Sequence, residues 1–257
     1  MPELPDLQVF SLNLTKALKG KSLKKITVGN TRKLNVTEKE LKHRLENEKL
    51  VKVERAGKEL HFDFENGHVL GLHLMLHGQL TLAKDDRDEK NLIVSLLFDD
   101  EQTLSLSDFQ GAATPTLDPK PNGVPDALDV TPDYLCQKFA KTRTPVKTVL
   151  MDQKIIRGIG NAYADEILWN ARISPFSPAN KIPAEKVSVL TKSVKKVLED
   201  AEKQILKEYP DIISGEYRDF MEVHNSRKKN TATGAAIKQE LISSRKTYFT
   251  DEQERFE

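Results

Sequence analysis

Behind Met1 the chain reads Pro2-Glu3-Leu4-Pro5-Asp6. Once the initiator methionine is removed, this start presents a secondary amine with a carboxylate beside it. An α-amino group titrates near ~7.7–8.0, so a sizeable fraction is unprotonated around neutral pH and can attack an electrophilic carbon. A secondary amine passes directly to a charged iminium, an electron sink that permits elimination of a leaving group one carbon away. The same residues also fit an ordinary helix start, with Pro5 in the first turn.

A second chemical signal lies mid-chain, where Leu150-Met151-Asp152-Gln153-Lys154 is followed by Gly158-Ile159-Gly160-Asn161-Ala162-Tyr163-Ala164-Asp165-Glu166. Two glycines just ahead of a helix leave backbone amides exposed and let a phosphate approach closely, and Asn161 can donate to the same group. An ordinary connection between two helices would read the same way. Between Asn225 and Lys246 six basic residues (Arg227, Lys228, Lys229, Lys238, Arg245, Lys246) face one acid, Glu240, although the whole chain carries a net charge of only +1. Such an arm is either a solvated face or a nucleic-acid contact.

The elements that must hold these groups fall into two blocks. The 257 residues lie at the size where one core stops growing, so two domains are expected. Leu7, Phe10, Leu14 and Leu18 are at helical spacing after Pro5, and Gly20 supplies a stop. Residues 22–106 then read as short strands: 23–28, Leu60/Phe62/Phe64, Leu70/Leu72/Leu74, Leu80/Leu82, 92–98 and Leu104/Leu106, with one helix near 37–45. Pro115, Pro119, Pro121, Pro125 and Pro132 crowd a stretch without periodicity, read as a linker over 115–132. Helices are expected afterwards at 133–141, from Thr144 as cap with Pro145 at the first helical position, at 162–171, and in a long helix with Val187, Leu190, Val194, Val197, Ala201 and Ile205 on one face. Residues 237–242 and Thr247-Tyr248-Phe249 can pair as a hairpin. Cys136 is the only cysteine, which excludes an intramolecular disulfide and a tetracysteine zinc site, and the six histidines show no ligand spacing on a helix. No apolar run approaches the roughly 20 residues of a membrane span and no signal-peptide pattern follows Met1, so an intracellular protein is expected.

The two motifs together, Pro2-Glu3-Leu4-Pro5 and Gly-Ile-Gly-Asn-Ala-Tyr-Ala-Asp-Glu, resemble the Fpg/Nei family of DNA glycosylases, over nearly the whole chain. The resemblance implies an α+β fold: an N-terminal helix on an antiparallel β-sandwich (1–114), a linker (115–132), a helix-two-turn-helix domain (133–220) and a C-terminal finger (221–257). It further implies that Pro2 attacks C1′ of a damaged nucleotide and that Glu3 is the acid that helps open the sugar. Lys58 would contact the phosphate near the lesion and assist proton transfer, and Asn161 would bind the same phosphate region, although Lys58 alone would read as a solvated hairpin lysine. Leu76 aligns with the wedge that fills the space left by a flipped nucleotide, although a buried strand residue would read the same.

Family members usually close with four zinc-binding cysteines, and this tail has none. It is similar to the form known as a zincless finger, in which Arg245 takes the place of the arginine at the hairpin tip that grips phosphates and assists the second elimination. Ile237, Leu241, Tyr248 and Phe249 are the apolar residues available to pack it. The segment Ser107-Asp108-Phe109-Gln110-Gly111 lacks the arginine that reads the base opposite the lesion, leaving Phe109 as a wedge, and Asp6 stands where glutamate is commoner. The resemblance therefore implies a bifunctional glycosylase and abasic-site lyase acting as a monomer on damaged double-stranded DNA. It would use no metal or organic cofactor and favour oxidised or ring-opened purines, located in bacterial cytoplasm with the nucleoid or in a eukaryotic nucleus. Rival readings are a catalytically silent DNA-damage binder of the same fold and an RNA-binding protein sharing only the helical motif.

Overall fold

The computed structural model describes residues 1–84 and 90–257, and these cluster into two compact units. The first comprises Met1–Asn122 together with Ile205–Glu216, and the second Gly123–Gln204 together with Tyr217–Glu257.

The first unit begins with α1 (Leu4–Leu18), whose Leu7, Phe10, Leu14 and Leu18 are all buried, as their helical spacing requires. Gly20, at φ 81°, ends it in the left-handed region. The chain continues through β1 (Leu23–Val28) and α2 (Glu38–Leu45), which is capped by the Thr37 hydroxyl accepting from Glu40 N at 3.1 Å. Then come β2 (Leu50–Ala56), β3 (Glu59–Phe64), β4 (Val69–His73), β5 (Gln79–Ala83), β6 (Leu92–Phe98), β7 (Thr103–Ser107) and β8 (Thr114–Leu117). Among the described residues these form two antiparallel four-stranded sheets, in the orders β1-β6-β7-β5 and β2-β3-β4-β8. In β3 the alternation is clean: Leu60, Phe62 and Phe64 point into a core shared by both sheets and α1.

Two strands escape the sequence pattern. β2 reads Leu50-Val51-Lys52-Val53-Glu54-Arg55-Ala56, with Val51 exposed, so its apolar positions do not alternate. β8 contains Pro115 and lies inside the proline-rich stretch. It is an edge strand paired only with β4, where a residue without an N–H is tolerated. Further along that stretch Ala127 and Val130 are buried, and Ala127 N donates to Arg157 O at 2.9 Å.

Helices α3 (Pro132–Phe139), α4 (Val146–Met151), α5 (Asn161–Asn170) and α6 (Ala184–Glu208) follow, and the chain closes with β9 (Lys238–Ile242) and β10 (Arg245–Phe249). Helix α4 starts one residue later than expected. Pro145 is its N-cap, held at ψ 135°, and the Thr144 hydroxyl is taken by that of Thr142 at 2.8 Å. On α6 Leu198, rather than Val197, joins Val187, Leu190, Val194 and Ala201 in the core. After α6 the chain is stitched onto the first unit. Asn13 Nδ2 donates to Ile212 O at 2.8 Å, and Leu80 N donates to the Ser214 hydroxyl at 3.0 Å.

Candidate active site and nucleic-acid interface

Pro2 is buried at the entrance to α1 and lines a cavity of about 330 Å³ in the first unit, together with Leu76, His77, Lys90, Phe109 and Glu216 among others. Glu3 is the helix N-cap. Its side chain accepts from the backbone of Asp6, and Asp6 Oδ2 accepts from Glu3 N at 2.8 Å. Asp6 therefore closes the capping box one methylene shorter than the commoner glutamate would, and locks the residue next to the amine.

Lys58 lies in the turn between β2 and β3, after Gly57 at φ 64°, and is only 8% exposed. It is not a solvated hairpin lysine. The turn is braced by Arg55, whose guanidinium donates to Gly57 O at 3.3 Å and to Gln8 Oε1 of α1 at 3.0 Å.

Leu76 is 58% exposed and sits between strands, so it is not a core strand residue. Its turn is built tightly. Gly78 N donates to Leu74 O at 2.8 Å, and a Cβ on Gly78 would stand 2.3 Å from that oxygen, so only glycine fits. Met75 occupies the left-handed region at φ 53° and donates its N–H to His73 Nδ1 at 3.0 Å. That bond places the His73 proton on Nε2, and burial pushes the imidazole below its ordinary value, so the ring is held neutral.

Phe109 is 66% exposed, with its ring 4.6 Å from that of His77. Buried Asp108 shapes its loop, accepting from Gln110 N at 2.9 Å, Ala112 N at 2.9 Å and Ala113 N at 2.8 Å. Burial raises the Asp108 carboxyl, but those three amides outweigh it and hold the group below the usual carboxylate range. The first unit thus presents Leu76, Phe109 and half-exposed Met75 as apolar side chains to solvent around the cavity that holds Pro2.

In the second unit the α4–α5 turn is tied by Gln153, which donates to Met151 O at 2.9 Å and Ile159 O at 2.7 Å and accepts from Gly158 N at 2.9 Å. Gly160 caps α5 and Asn161 is its first residue, so the helix N-terminus opens at the glycine pair. Asn161 Nδ2 donates to Lys246 O at 3.0 Å, which fastens α5 to β10 and commits one of its two N–H groups.

Strands β9 and β10 form the hairpin, with Arg245 opposite Ile242 and with Ser243 and Ser244 in the turn at φ 49° and 63°. Both central residues lie in the left-handed region, as a type I′ turn demands. Arg245 directly follows this tip and is exposed.

The packing expected from Leu241 is not there: it is 66% exposed, and Ile242 on the opposite face is buried in its place. The pairing register decides this, since adjacent strand residues point to opposite faces. Tyr248 is buried, and Phe249 meets the Phe176 ring at 5.0 Å.

A buried polar cluster does most of the fastening. Lys147 of α4 contacts Asp165 Oδ1 of α5 at 2.8 Å, with exposures of 1% and 0%, and donates to Lys246 O at 3.0 Å and the Thr247 hydroxyl at 2.8 Å. Asp165 Oδ2 accepts from Tyr248 N at 3.0 Å and pairs with His224 Nδ1 at 2.7 Å. Glu166 accepts the amides of Glu222, Val223 and His224 at 2.7–2.9 Å, while burial pushes its carboxyl up. The residues do not fit a zinc finger. The only cysteine, Cys136, is in α3, and no group of three or more His, Cys, Asp or Glu among the described residues is disposed to hold a metal ion.

The class of protein follows from two family models. The formamidopyrimidine-DNA glycosylase N-terminal domain matches residues 1–114, and the H2TH domain of the same glycosylases matches residues 122–207. Among curated relatives the formamidopyrimidine-DNA glycosylase of Lactobacillus gasseri is 31% identical over 220 residues, covering 79% of this chain and 78% of its own. That of Lactiplantibacillus plantarum is 31% identical over 206 residues, covering 76% and 75%. The chain belongs to the formamidopyrimidine-DNA glycosylase family. Solved structures agree on the fold. A complex between Lactococcus lactis Fpg and DNA containing an abasic site matches with TM-score 0.86 at 24% identity, over 96% of this chain and 97% of that one. MutM in complex with DNA containing carbocyclic 8-oxo-G matches with TM-score 0.85 at 25% identity, over 97% and 98%.

Proposed function

We propose that this chain excises oxidised or ring-opened purines from double-stranded DNA and then cleaves the abasic site, with Pro2 as the nucleophile. Membership of the family makes it a DNA glycosylase of base-excision repair with abasic-site lyase activity. The observation that carries the assignment is the position of Pro2 on the wall of the cavity ringed by exposed Leu76 and Phe109.

A base cannot be reached inside the stack, so the target nucleotide must swing out, and Leu76 with Phe109 would fill the space it leaves. With Met1 removed, the Pro2 amine attacks C1′ as the bond to the base breaks. The ring oxygen then leaves C1′, protonated by Glu3, while the amine loses its remaining N–H proton and becomes the iminium. Loss of a proton from C2′ expels the 3′ phosphate. Lys58 holds phosphate beside the nucleophile in the first unit. In the second, Asn161 and Arg245 hold backbone phosphates, Arg245 with the forked geometry that suits bidentate contact.

On this reading residues 1–114 are the catalytic domain, joined in the first unit by β8 and by residues 205–216, the remainder of 115–132 is the connection, the remainder of 133–220 the DNA clamp and 221–257 the finger. Among the described residues no helix is long and apolar enough to cross a membrane. The named relatives are bacterial, which supports work in the cytoplasm at the nucleoid.

Single-turnover excision tests the substrate class, using duplexes that carry 8-oxoguanine, ring-opened guanine or thymine glycol. Faster release of the two purine lesions is expected. Faster release of thymine glycol would overturn the purine assignment.

A further inference from the structure

The first nitrogen of the chain is held by an acidic side chain that plays no part in the scheme above. The Met1 ammonium is ion-paired with Glu216 Oε1, and Glu216 lines the same cavity as Pro2. Nothing in the sequence brings residue 216 to residue 2. The fold does so through the segment after α6, anchored to α1 by Asn13 and Ile212 and to β5 by Leu80 and Ser214.

We propose that in the mature chain Glu216 pairs with the Pro2 ammonium and accepts its proton, baring the lone pair for attack. The proposal rests on Pro2 being the nucleophile. Consecutive Cα atoms are about 3.8 Å apart, so removing Met1 shifts the terminal nitrogen by a distance that a glutamate side chain spans by changing rotamer.

The proton balance closes. The Pro2 ammonium carries two N–H protons: one passes to Glu216, leaving a neutral acid and a neutral amine, and the other passes to solvent water before the iminium forms. Other ionisable groups belong to the same region: Asp6 lies in α1 and Glu3 is its N-cap, Lys58 is in the β2–β3 turn, and His77, Lys90 and Asp108 line the cavity. The carboxylates of Glu3, Asp6 and Asp108 are engaged by backbone N–H groups of their own turns, whereas Glu216 reaches the terminal amine.

An opposite charge within about 4–6 Å shifts a pKa by roughly 1–3 units toward the charged form, and a partly exposed pair belongs at the lower end. A carboxylate beside an ammonium favours its charged form, so Glu216→Gln is expected to lower the Pro2 midpoint by about 1 unit.

The test is a pH titration of the Pro2 13Cδ resonance by NMR in the full chain, with loss of Met1 verified by mass. The wild type, Glu216→Gln and Glu216→Asp are compared, each with its fold checked by circular dichroism. A midpoint lowered in Glu216→Gln and restored toward wild type in Glu216→Asp supports the pairing. Superimposed titrations overturn it. The readout is independent of catalysis: a shifted midpoint in a protein that forms no covalent adduct with DNA would support the pairing and sink the nucleophile instead.

Discussion

Replacing Lys147 with methionine keeps the volume of the side chain but removes its charge, and leaves Asp165 negative in a site where neither group is more than 1% exposed. Taking one partner from a buried ion pair costs about 3–5 kcal/mol, because the remaining charge has neither water nor a counterion. The variant also loses the contacts of Lys147 to Lys246 O and the Thr247 hydroxyl, but these share the same ammonium and do not add in full. His224 and the Tyr248 amide still face Asp165, which puts the expected loss at the lower end, about 3 kcal/mol. Hydrogen exchange at the amides of β9 and β10 measures this locally, and the opening of that region should become about 100-fold more frequent, since each 1.4 kcal/mol is a factor of ten. Adding Asp165→Asn should recover part of the protection, because no uncompensated charge remains. A single variant that loses less than about 1 kcal/mol, the range of surface ion pairs, would refute the claim that this buried cluster fastens the hairpin to α4 and α5.

Arg245→Ala should weaken binding to every duplex alike and lower the slope of log K against log salt by about 1, read by fluorescence anisotropy, because one phosphate contact is lost. Leu76→Ala and Phe109→Ala should each slow release of a damaged base by roughly tenfold or more, while cleavage of a preformed abasic site is much less affected, because filling the stack offsets a few kcal/mol of unstacking. Equal slowing on both substrates would remove the wedge assignment. His73 is held neutral by burial with its pKa below the ordinary 6.5, so stability is intact above that value and falls as the pH drops below it, where the unfolded chain takes up the proton first. Urea midpoints measured from pH 7.5 to 5 should fall for the wild type and stay flatter for His73→Asn.

Most of the first unit was legible because its signals are local. Pro5, the Leu7-Phe10-Leu14-Leu18 stripe and Gly20 delimit α1, and the alternation of Leu60, Phe62 and Phe64 defines β3. The hairpin β9–β10 was visible despite a Ser-Ser turn that carries no glycine or asparagine. What stayed hidden depends on register or on distant partners. Leu241 and Ile242 are equally apolar neighbours, and only the pairing decides which is buried. Pro115 argues against a strand until an edge position is available.

For the candidate site, Pro2, Glu3 and Asn161 lie in the two sequence motifs, whereas Lys58, Leu76, Phe109 and Arg245 follow only from the resemblance those motifs carry. Their supports follow from neither. Lys147 and Asp165 are charges set among apolar helix residues, a pattern in the sequence that marks a buried pair only once the partner helix is known. His73 and Asp108 act through the backbone, and Glu216 reaches the N-terminus only through the folded chain.

The central claim is that the Pro2 amine becomes covalently attached to C1′. Sodium borohydride trapping on an abasic-site duplex tests it, using protein shown by mass to lack Met1, with Pro2→Gly alongside. A stable protein–DNA adduct in the wild type that is abolished or greatly reduced in Pro2→Gly is the expected result. An absent adduct, or one that forms equally well in Pro2→Gly, would contradict it.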